Sequence, residues 1–460
     1  MLINFEYKDR DFSAKTVLLL YIFKIYNVEE LLHYVWKHKL LPLNDLLTTD
    51  GQEVEIINPG LENQNKEPGF LNAEVRIGNE VRTGNVEIYL RSSDIFRFRY
   101  KYDKAYDDVV LQVVNIVDCH CDAATGERLP QLQLDIPAGL ILRYDTLCKS
   151  EDCPPCRRII PQTDKHKVRS WMDMLVAERL EELEQQVEER LRQTNGNWEW
   201  ALFITLARNF GFGMNDDTFE TWARRIPLDK TGKHRDELFQ IESIYLGMAG
   251  LLVDDALPRN AVADDYFRRL QKEFAYQCRL FSLECIMPYQ QWKYPRLRPQ
   301  DFPHVRLAAL AWMYHKGHVT LSTLKDATME ENSLEALRHI LMAETSEYWQ
   351  NHIMFGTSLK KHSQRLGEGL QDRLIINTVV PVLYTYAVSH NNQVLREKVL
   401  SLLQLLPAEQ SHIPRQWEEC GLKIDNAGDC QALIQLKKQY CDRHDCLRCS
   451  FGHEYLSSRL

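Results

Sequence analysis

The sequence predicts an α+β protein, in which an N-terminal α/β domain is followed by a large all-α domain. Three observations predict this class. Apolar residues alternate with a period of two between residues 52 and 117, and beyond Pro161 they recur at helical spacing. The twelve cysteines are clustered, and two of the clusters have the same spacing.

The composition is that of an ordinary globular protein and excludes disordered and collagen-like classes. The 460 residues include 56 Lys and Arg against 65 Asp and Glu, which gives a formal net charge of −9. Hydrophobic residues make up 44% and charged residues 26% of the chain. At ~150 residues per domain the length predicts two or three domains. The acidic balance argues against a broad surface that coats nucleic acid, but it allows a local basic groove.

The sequence contains no predicted membrane span. The longest apolar run near the start, Val17 to Phe23, ends at Lys24, and no small-residue cleavage site follows it. Without a secretory signal, clustered thiols in a chain of this size indicate metal binding rather than disulfides. We therefore expect a cytoplasmic protein that does not enter the membrane.

The first domain is predicted to begin with a helix and to continue as a sheet. Apolar residues within 28–47 recur near a period of 3.6, and Pro42 ends the helix. The strands that the alternation predicts are Val54–Ile56, Phe70–Ile77, Val86–Leu90 and Val109–Val117. Asn58-Pro59-Gly60 and Gly78-Asn79 supply the turns between the first three.

Beyond Pro161 the pattern predicts helices, which include residues 172–191, 198–210, 238–252, 374–388 and 394–406. A glycine-hinged loop, Asn209–Asn215, interrupts them and lacks the Gly-Lys-Ser/Thr ending of a phosphate loop. Further on, Arg296, Arg298 and Arg306 flank two prolines. We divide the chain into an extension 1–28, an α/β domain 29–161, a helical domain 162–440 and a cysteine-bearing tail 441–460.

The tail predicts a metal site. Cys441, Cys446 and Cys449 are separated by four and then two residues, so their thiolates can supply three corners of a tetrahedron. Zinc and an iron–sulfur cluster both remain open as the cofactor, and ordinary buried thiols are the alternative. The candidates for the fourth ligand are Cys148, Cys153, Cys156, Cys420, Cys430 and His444.

The triplet Cys148, Cys153 and Cys156 repeats the same spacing. Two complete sites would need eight ligands, and the two triplets supply only six cysteines. One cysteine of the first triplet joining three of the tail is the simpler arrangement. It would staple the tail to the α/β domain across a long loop, where a cross-link helps most.

The order of a helix followed by three strands is also that of restriction-endonuclease-like folds of the PD-(D/E)xK type. Glu87-Ile88-Tyr89 stands where such a fold has Glu-x-Lys, and Pro68-Gly69 stands where it has Pro-Asp, 87 − 69 = 18 residues earlier. These carboxylates hold a divalent cation beside the scissile phosphodiester. Gly69 cannot ligate a metal, and Tyr89 is a poor substitute for Lys.

Over residues 29–456 the sequence resembles a Bacteroidetes family that is catalogued as a domain of unknown function. The runs that carry the resemblance are Leu31–Trp36, Gly84–Ile88, Ala207–Gly213, Leu297–Pro299, Ile376–Thr378 and Tyr440–Cys449. The first 28 residues fall outside it, which favours a translation start downstream of them.

The resemblance implies that this chain has lost a polar site. Relatives carry Asp at the position of Gly69, and they carry His at four others, Tyr89, Phe98, Tyr100 and Gln112. Because the apolar framework is kept, we interpret the five changes as the joint loss of one metal or acid–base site. The remnant acids, Glu74 and Glu87, are expected to bind a divalent cation only weakly. The resemblance also points to Cys156, which follows Pro154-Pro155, as the fourth thiolate ligand.

The leading functional hypothesis is a catalytically impaired, nuclease-like protein that binds nucleic acid or a protein partner. One alternative is an active metal-dependent nuclease that uses Glu74 and Glu87, and another is a helical scaffold for protein interactions. A basic groove built from Arg76, Arg82, Arg91, Arg97 and Arg99 would favour nucleic acid. A neutral groove with a large apolar patch would favour the scaffold. The oligomeric state is left open.

Overall fold

The computed structural model is mixed α+β, which confirms the predicted class. It describes residues 28–40, 46–63, 69–98, 108–122, 126–150, 152, 154–232, 236–258, 263–284, 286–358 and 366–458. Except for Val28, the predicted extension lies outside the described residues, as do Tyr100, Arg99 and Cys153.

The described residues divide into two compact units. The first contains those up to Lys165 together with those from Lys437 onwards, and the second is His166–Leu436. The first unit is therefore discontinuous in sequence, because residues that contain the tail cysteines return to the part that contains the sheet.

The sheet of the first unit is built around its longest strand. Its members are β1 (Val54–Asn58), β2 (Leu61–Glu62), β3 (Phe70–Ile77), β4 (Glu80–Arg91), β5 (Val109–Ile116) and β6 (Gln131–Gln133). The strand order is β1-β3-β4-β5-β6, and β2 pairs with β3. The β1–β3 and β3–β4 pairs are antiparallel, whereas β4–β5 and β5–β6 are parallel. From Gly84 to Tyr89 every residue of β4 is buried, so this stretch is covered on both faces.

The helices of the first unit are α1 (28–37), α2 (Ile95–Phe98), α3 (Ala138–Lys149) and α18 (Ser450–Ser457). Helix α1 ends before Pro42, earlier than predicted. Lys39 adopts a left-handed φ of 50°, and Leu40 N donates to Val35 O at 3.1 Å, which closes the helix as a Schellman motif does. The Lys39 ammonium then donates to the carbonyl oxygens of Ile56 and Ile57 at 2.8 Å each.

Hydrogen bonds attach α18 to α1 and α3 of the first unit. One of 2.7 Å joins Tyr34 Oη on α1 to His453 Nδ1, and Arg143 Nε on α3 donates to Leu456 O at 3.0 Å. The ring of His38 also packs on that of His453, with centroids 4.3 Å apart. Burial, with the charges of His453 and Lys37, lowers the pKa of His38 to about 4, so His38 is neutral at physiological pH.

The second unit is helical apart from one small hairpin. Its longer helices are α4 (Lys165–Gln193), α5 (Trp198–Phe210), α6 (Asp216–Ala223), α8 (Leu238–Met248), α9 (Asp265–Phe281), α10 (Pro303–Lys316), α11 (Leu321–Met329), α12 (Ser333–Ile340), α14 (Val380–Ser389), α15 (Gln393–Leu405) and α17 (Ala427–Gln435). The shorter elements are α7 (Leu228–Thr231), α13 (Glu368–Leu374), α16 (His412–Glu418) and the strands β7 (His352–Met354) and β8 (Thr357–Ser358).

The helix predicted over 374–388 is interrupted. A π-helical turn, Ile375–Val379, separates α13 from α14. Pro381 lacks the amide that would donate to Asn377 O one turn earlier, and that carbonyl instead accepts a hydrogen bond of 2.7 Å from Asn209 Nδ2. Such turns often occur where a helix has been adapted to a functional site.

The core of the second unit is aromatic and tightly packed. Trp222 and Tyr245 meet edge to face with ring centroids 4.9 Å apart, and Phe219 meets Trp292 in the same way at 4.9 Å. Gly247 on α8 is required there, because an added Cβ would stand 2.3 Å from the ring of Phe274. Within the described ranges, no helix has the length and hydropathy needed to cross a bilayer.

Candidate functional site: a buried carboxylate and a thiol cluster

The buried carboxyl group of Glu87 lies in the middle of the sheet. Its backbone pairs with Gln112 on the parallel neighbour β5, and both side chains are 0% exposed. Gln112 Nε2 donates to Ser92 O at 3.1 Å, while Gln112 Oε1 accepts from Gln131 Nε2 at 2.7 Å. The sheet thus brings together Glu87 and Gln112, two of the predicted site positions. Hydrogen bonds to Ser92 and Gln131 fix the side-chain amide of Gln112.

Gly69 lies at the start of β3, the antiparallel neighbour of β4. Phe70 pairs with Val86, and continuing this register outward puts Gly69 opposite Glu87. An added Cβ at Gly69 would stand 3.0 Å from Cε1 of His33 on α1. His33 Nε2 donates to Ile88 O, beside Glu87, at 3.3 Å. Burial lowers the pKa of His33, partly offset by this hydrogen bond and by the charge of Glu62, so the imidazole beside Gly69 is neutral at physiological pH.

Glu74 is not beside Glu87. It pairs with Thr83, four residues from Glu87 along β4. At a rise of about 3.3 Å per residue, this corresponds to roughly 13 Å along the strand. Two carboxylates that share one cation must both approach it to within ~2.6 Å. The shared remnant site predicted from Glu74 and Glu87 is therefore not assembled.

Of the remaining predicted positions, Tyr89 is the one whose side chain the structure describes. Tyr89 is buried in a small hydrophobic cluster with Ile95 and Val114. Phe98 ends α2, and Tyr100 lies outside the described residues. Tyr89 thus acts as a core residue here, and it does not replace the lysine of Glu-x-Lys.

The arginines expected to form a basic groove near Glu87 are mostly neutralised. Arg76 pairs with Glu55, Arg82 pairs with Glu80 at 2.9 Å, and Arg91 lies 4.0 Å from Asp118. The side chain of Arg97 and all of Arg99 lie outside the described part. The three described arginines therefore provide little unbalanced positive charge for a nucleic acid at this sheet.

The thiol cluster consists of Cys148, Cys156, Cys441, Cys446 and Cys449, all in the first unit. Burial raises the pKa of the Cys156 thiol well above its ordinary value, and the nearby thiols of Cys449, Cys441 and Cys446 raise it further. Cys446 interacts in the same way with Cys449 and Cys148, and its pKa is raised to about 12. Cys156, the predicted fourth ligand, thus shares its unit with the three tail thiols, whose charges raise its pKa.

Two alternative ligands belong to the second unit and have hydrogen bonds there. Cys430 Sγ accepts from Glu409 N at 3.2 Å, and Cys420 Sγ donates to Gln416 O at 3.1 Å. Cys148 is half-buried in the first unit, and Cys153 lies outside the described residues. Among the described cysteine candidates, Cys148 and Cys156 are therefore the two that share a unit with the tail, and the remaining candidate, His444, lies within the tail itself.

The chemistry of the cluster fits a soft metal ion, although its side chains are not arranged as a ligand shell. Among the described residues, no three His, Cys, Asp or Glu side chains converge as metal ligands. Several thiols buried together favour the neutral form, because thiolates would repel one another. A cation among them reverses this preference and deprotonates the thiols that it binds. The turn that carries Cys446 is closely packed, because an added Cβ at Gly452 would stand 2.0 Å from Cys446 O.

His33 is the site residue that sequence reasoning missed. It shares a helix face with Trp36, three residues later, among apolar residues that pack on the sheet. A polar ring on the apolar face of α1 was the available signal, but nothing local pointed to its neighbour, position 69.

Comparison with known proteins assigns a family. The model of the family described as "Protein of unknown function (DUF2851)" matches residues 29–412, and the chain belongs to this family. No curated protein and no solved structure matches the chain.

Proposed function

We propose that this chain is a catalytically impaired, nuclease-like protein that acts by binding, with a metal centre that joins its tail to the sheet-containing unit. The observation that carries the first part is the pair of positions 69 and 87. One has no side chain and faces a neutral histidine, while the other holds a buried carboxyl group on the adjacent strand.

The sheet order supports a restriction-endonuclease-like origin. An antiparallel β3–β4 pair followed by the parallel strand β5 puts Glu87 on the central strand, beside the start of β3. Such an enzyme needs a second carboxylate to hold its cation. Glu74 lies too far along the sheet to replace the one missing at Gly69.

A nuclease assay with Mg²⁺ or Mn²⁺ tests the loss of catalysis. We expect the unchanged protein to cleave single- and double-stranded DNA and RNA no faster than Glu87→Gln, because a cation held by one carboxylate stabilises the developing charge poorly. Removing one such electrostatic group costs at least about a hundredfold in rate. Cleavage by the unchanged protein that Glu87→Gln abolishes would instead establish an active nuclease.

Gly69→Asp and Gly69→Asn form a matched pair for the same site. The Cβ of either side chain needs His33 to shift by a few tenths of an ångström, the two side chains have nearly the same shape, and only the aspartate adds a charge. We expect Gly69→Asp to gain Mn²⁺ binding, measured by calorimetry, and Gly69→Asn to gain none. Equal behaviour of the two variants would contradict the assignment of position 69 to a lost metal site.

The second part of the proposal is that Cys156, Cys441, Cys446 and Cys449 bind one metal centre, either zinc or an iron–sulfur cluster. Its support is the grouping of these thiols in one unit, with Cys156 in electrostatic contact with the other three. A bound metal would fix the tail cysteines to Cys156 within the first unit, which also carries Glu87.

A further inference from the structure

An open cleft of about 1260 Å³ lies in the second unit, between the loop that follows α5 and the segment 292–297. Aromatic, apolar and basic side chains line it together. They include Phe212, Met214, Trp292, Lys293, Tyr294 and Leu297. The residues that line this cleft come from neither the sheet nor the thiol cluster.

Two guanidinium groups contact the ring of Phe212 at the wall of the cleft. The Cζ atoms of Arg306 and Arg373 lie 4.4 Å and 5.1 Å from its centroid. Arg306 is 3% exposed, and it pairs with Asp301 through Nη2. Its Nε is buried and has no hydrogen-bond partner among the described residues. Two cations on one ring repel each other, and an anion bound near them would relieve that repulsion.

The backbone around the cleft is held in place before any ligand binds. Asn215 joins its two sides, because Asn215 Nδ2 donates to Lys293 O at 2.9 Å and Lys293 N donates to Asn215 Oδ1 at 2.9 Å. Asn209 Nδ2 anchors the loop to Thr378 Oγ1 at 3.0 Å, beside the π-helical turn. Phe212 itself takes a left-handed φ of 45°. We therefore expect the loss of backbone conformational entropy on ligand binding to be small.

Exposed basic side chains are concentrated around the cleft, although the carboxyl groups of Asp216 and Glu409 partly offset the charge of Arg373. Lys293, Arg296, Arg298 and Arg373 are exposed. None of them makes an ion pair with any residue that the structure describes. The chain as a whole carries a formal charge of −9, so this surface is a local basic patch in an acidic protein. Such a patch attracts phosphate groups at low ionic strength.

We propose that this cleft binds a nucleotide unit, with its base against the aromatic and apolar wall and its phosphate at Lys293 and Arg373. Aromatic rings beside unpaired cations are the combination that binds single-stranded nucleic acid without sequence preference. A free nucleotide offers the same chemistry. The inference rests on the proposed binding role but not on the loss of catalysis, so the two can fail separately.

Fluorescence anisotropy with a labelled twelve-residue oligothymidylate tests the proposal on the full chain. We expect salt-dependent binding, which the double variant Lys293→Gln, Arg373→Gln weakens while lowering the salt slope by about 0.7, the value for one neutralised phosphate of a single strand. The control is Arg279→Gln, Lys398→Gln, which removes the same charges from exposed residues that do not line the cleft. An abasic strand of equal charge should bind about fivefold more weakly or worse, because it cannot stack.

Competition with free thymidine monophosphate separates the two sources of the nucleotide unit. Displacement only by the oligomer identifies a nucleic-acid strand, and displacement by the monophosphate at similar concentration identifies a free nucleotide. Two results would overturn the proposal. One is that neither ligand binds, and the other is that the cleft variant and its control bind alike. Neither result depends on the nuclease assay, which reports on the sheet.

Discussion

Replacing Cys156 by serine is expected to remove the metal from the thiol cluster and to lower thermal stability about as much as Cys446→Ser does. Both thiols lie in the buried cluster of the first unit, and the tail triplet alone leaves one corner of a tetrahedron open. Structural metal sites contribute on the order of 10 kcal/mol to the folding of small domains. Elemental analysis of anaerobically purified protein and its melting temperature are the two measurements.

Cys278→Ser is the matched control, since this thiol belongs to the second unit and only burial raises its pKa. It should change neither metal content nor stability to a comparable extent. A brown protein that absorbs near ~400 nm would indicate an iron–sulfur cluster, and a colourless one with equimolar zinc would indicate a zinc site. If Cys148→Ser or Cys153→Ser empties the site and Cys156→Ser does not, the fourth ligand is misassigned. Metal-free protein with every thiol titratable in the native state would refute the centre.

Glu220→Gln is expected to destabilise the second unit by about 3–5 kcal/mol, the usual cost of leaving a buried charge without its partner. Glu220 on α6 accepts two hydrogen bonds of 3.2 Å from Arg190 and one of 2.8 Å from Arg208. The side chains of Arg190 and Glu220 are only 6% and 12% exposed. Urea denaturation of the variant measures the loss.

Asp217→Asn is the control for this prediction, because Asp217 also pairs with Arg208, at 2.6 Å, but its side chain is 92% exposed. A change within about 0.5 kcal/mol is expected there. If Glu220→Gln and Asp217→Asn lose equal stability, the burial of Glu220 does not explain the loss.

The same carboxyl group predicts a pH dependence. Burial alone would raise the pKa of Glu220, but Arg190, Arg224 and Arg208 outweigh it and lower the pKa to about 2. Because this is below its ordinary value of 4.5, the stability that Glu220 contributes is complete above pH 4.5 and is lost as the pH falls towards 2. The difference between the unchanged protein and Glu220→Gln should therefore shrink over that range. A stability difference that stays constant between pH 4.5 and 2 would contradict the lowered pKa of Glu220.

Local signals account for the elements that the sequence predicted well. The predicted helix over 198–210 has the bounds of α5, because Asn197 caps its first turn through Trp200 N and Gly211 follows its last residue. Helix α3 has a regular buried face of Leu140, Tyr144 and Leu147, yet it was not predicted. Exposed Ile141 and Leu142 obscure that periodicity.

The site was less accessible to sequence reasoning, for two different physical reasons. The separation of Glu74 from Glu87 follows from the turn at Gly78-Asn79, which pairs Ile77 with Glu80, and it could have been counted from the sequence. The pairing of Gly69 with Glu87 could not be counted in this way, because a register shift between Phe70 and Ala73 displaces the pairing by one residue. The contact between position 69 and His33 depends on how α1 packs, which no local pattern records.

The discontinuity of the first unit has a consequence for its synthesis on the ribosome. Its sheet is complete by Gln133, but α18, which bonds to Tyr34 and Arg143, emerges only after the whole second unit has been made. At 5–20 residues per second, this delay amounts to roughly a quarter of a minute to one minute. During that time the surfaces of α1 and α3 that receive α18 are uncovered. The synthesis of the first unit therefore starts before that of the second unit and finishes after it. Nascent chains stalled before Lys437 should present the uncovered surfaces of α1 and α3 to chaperones.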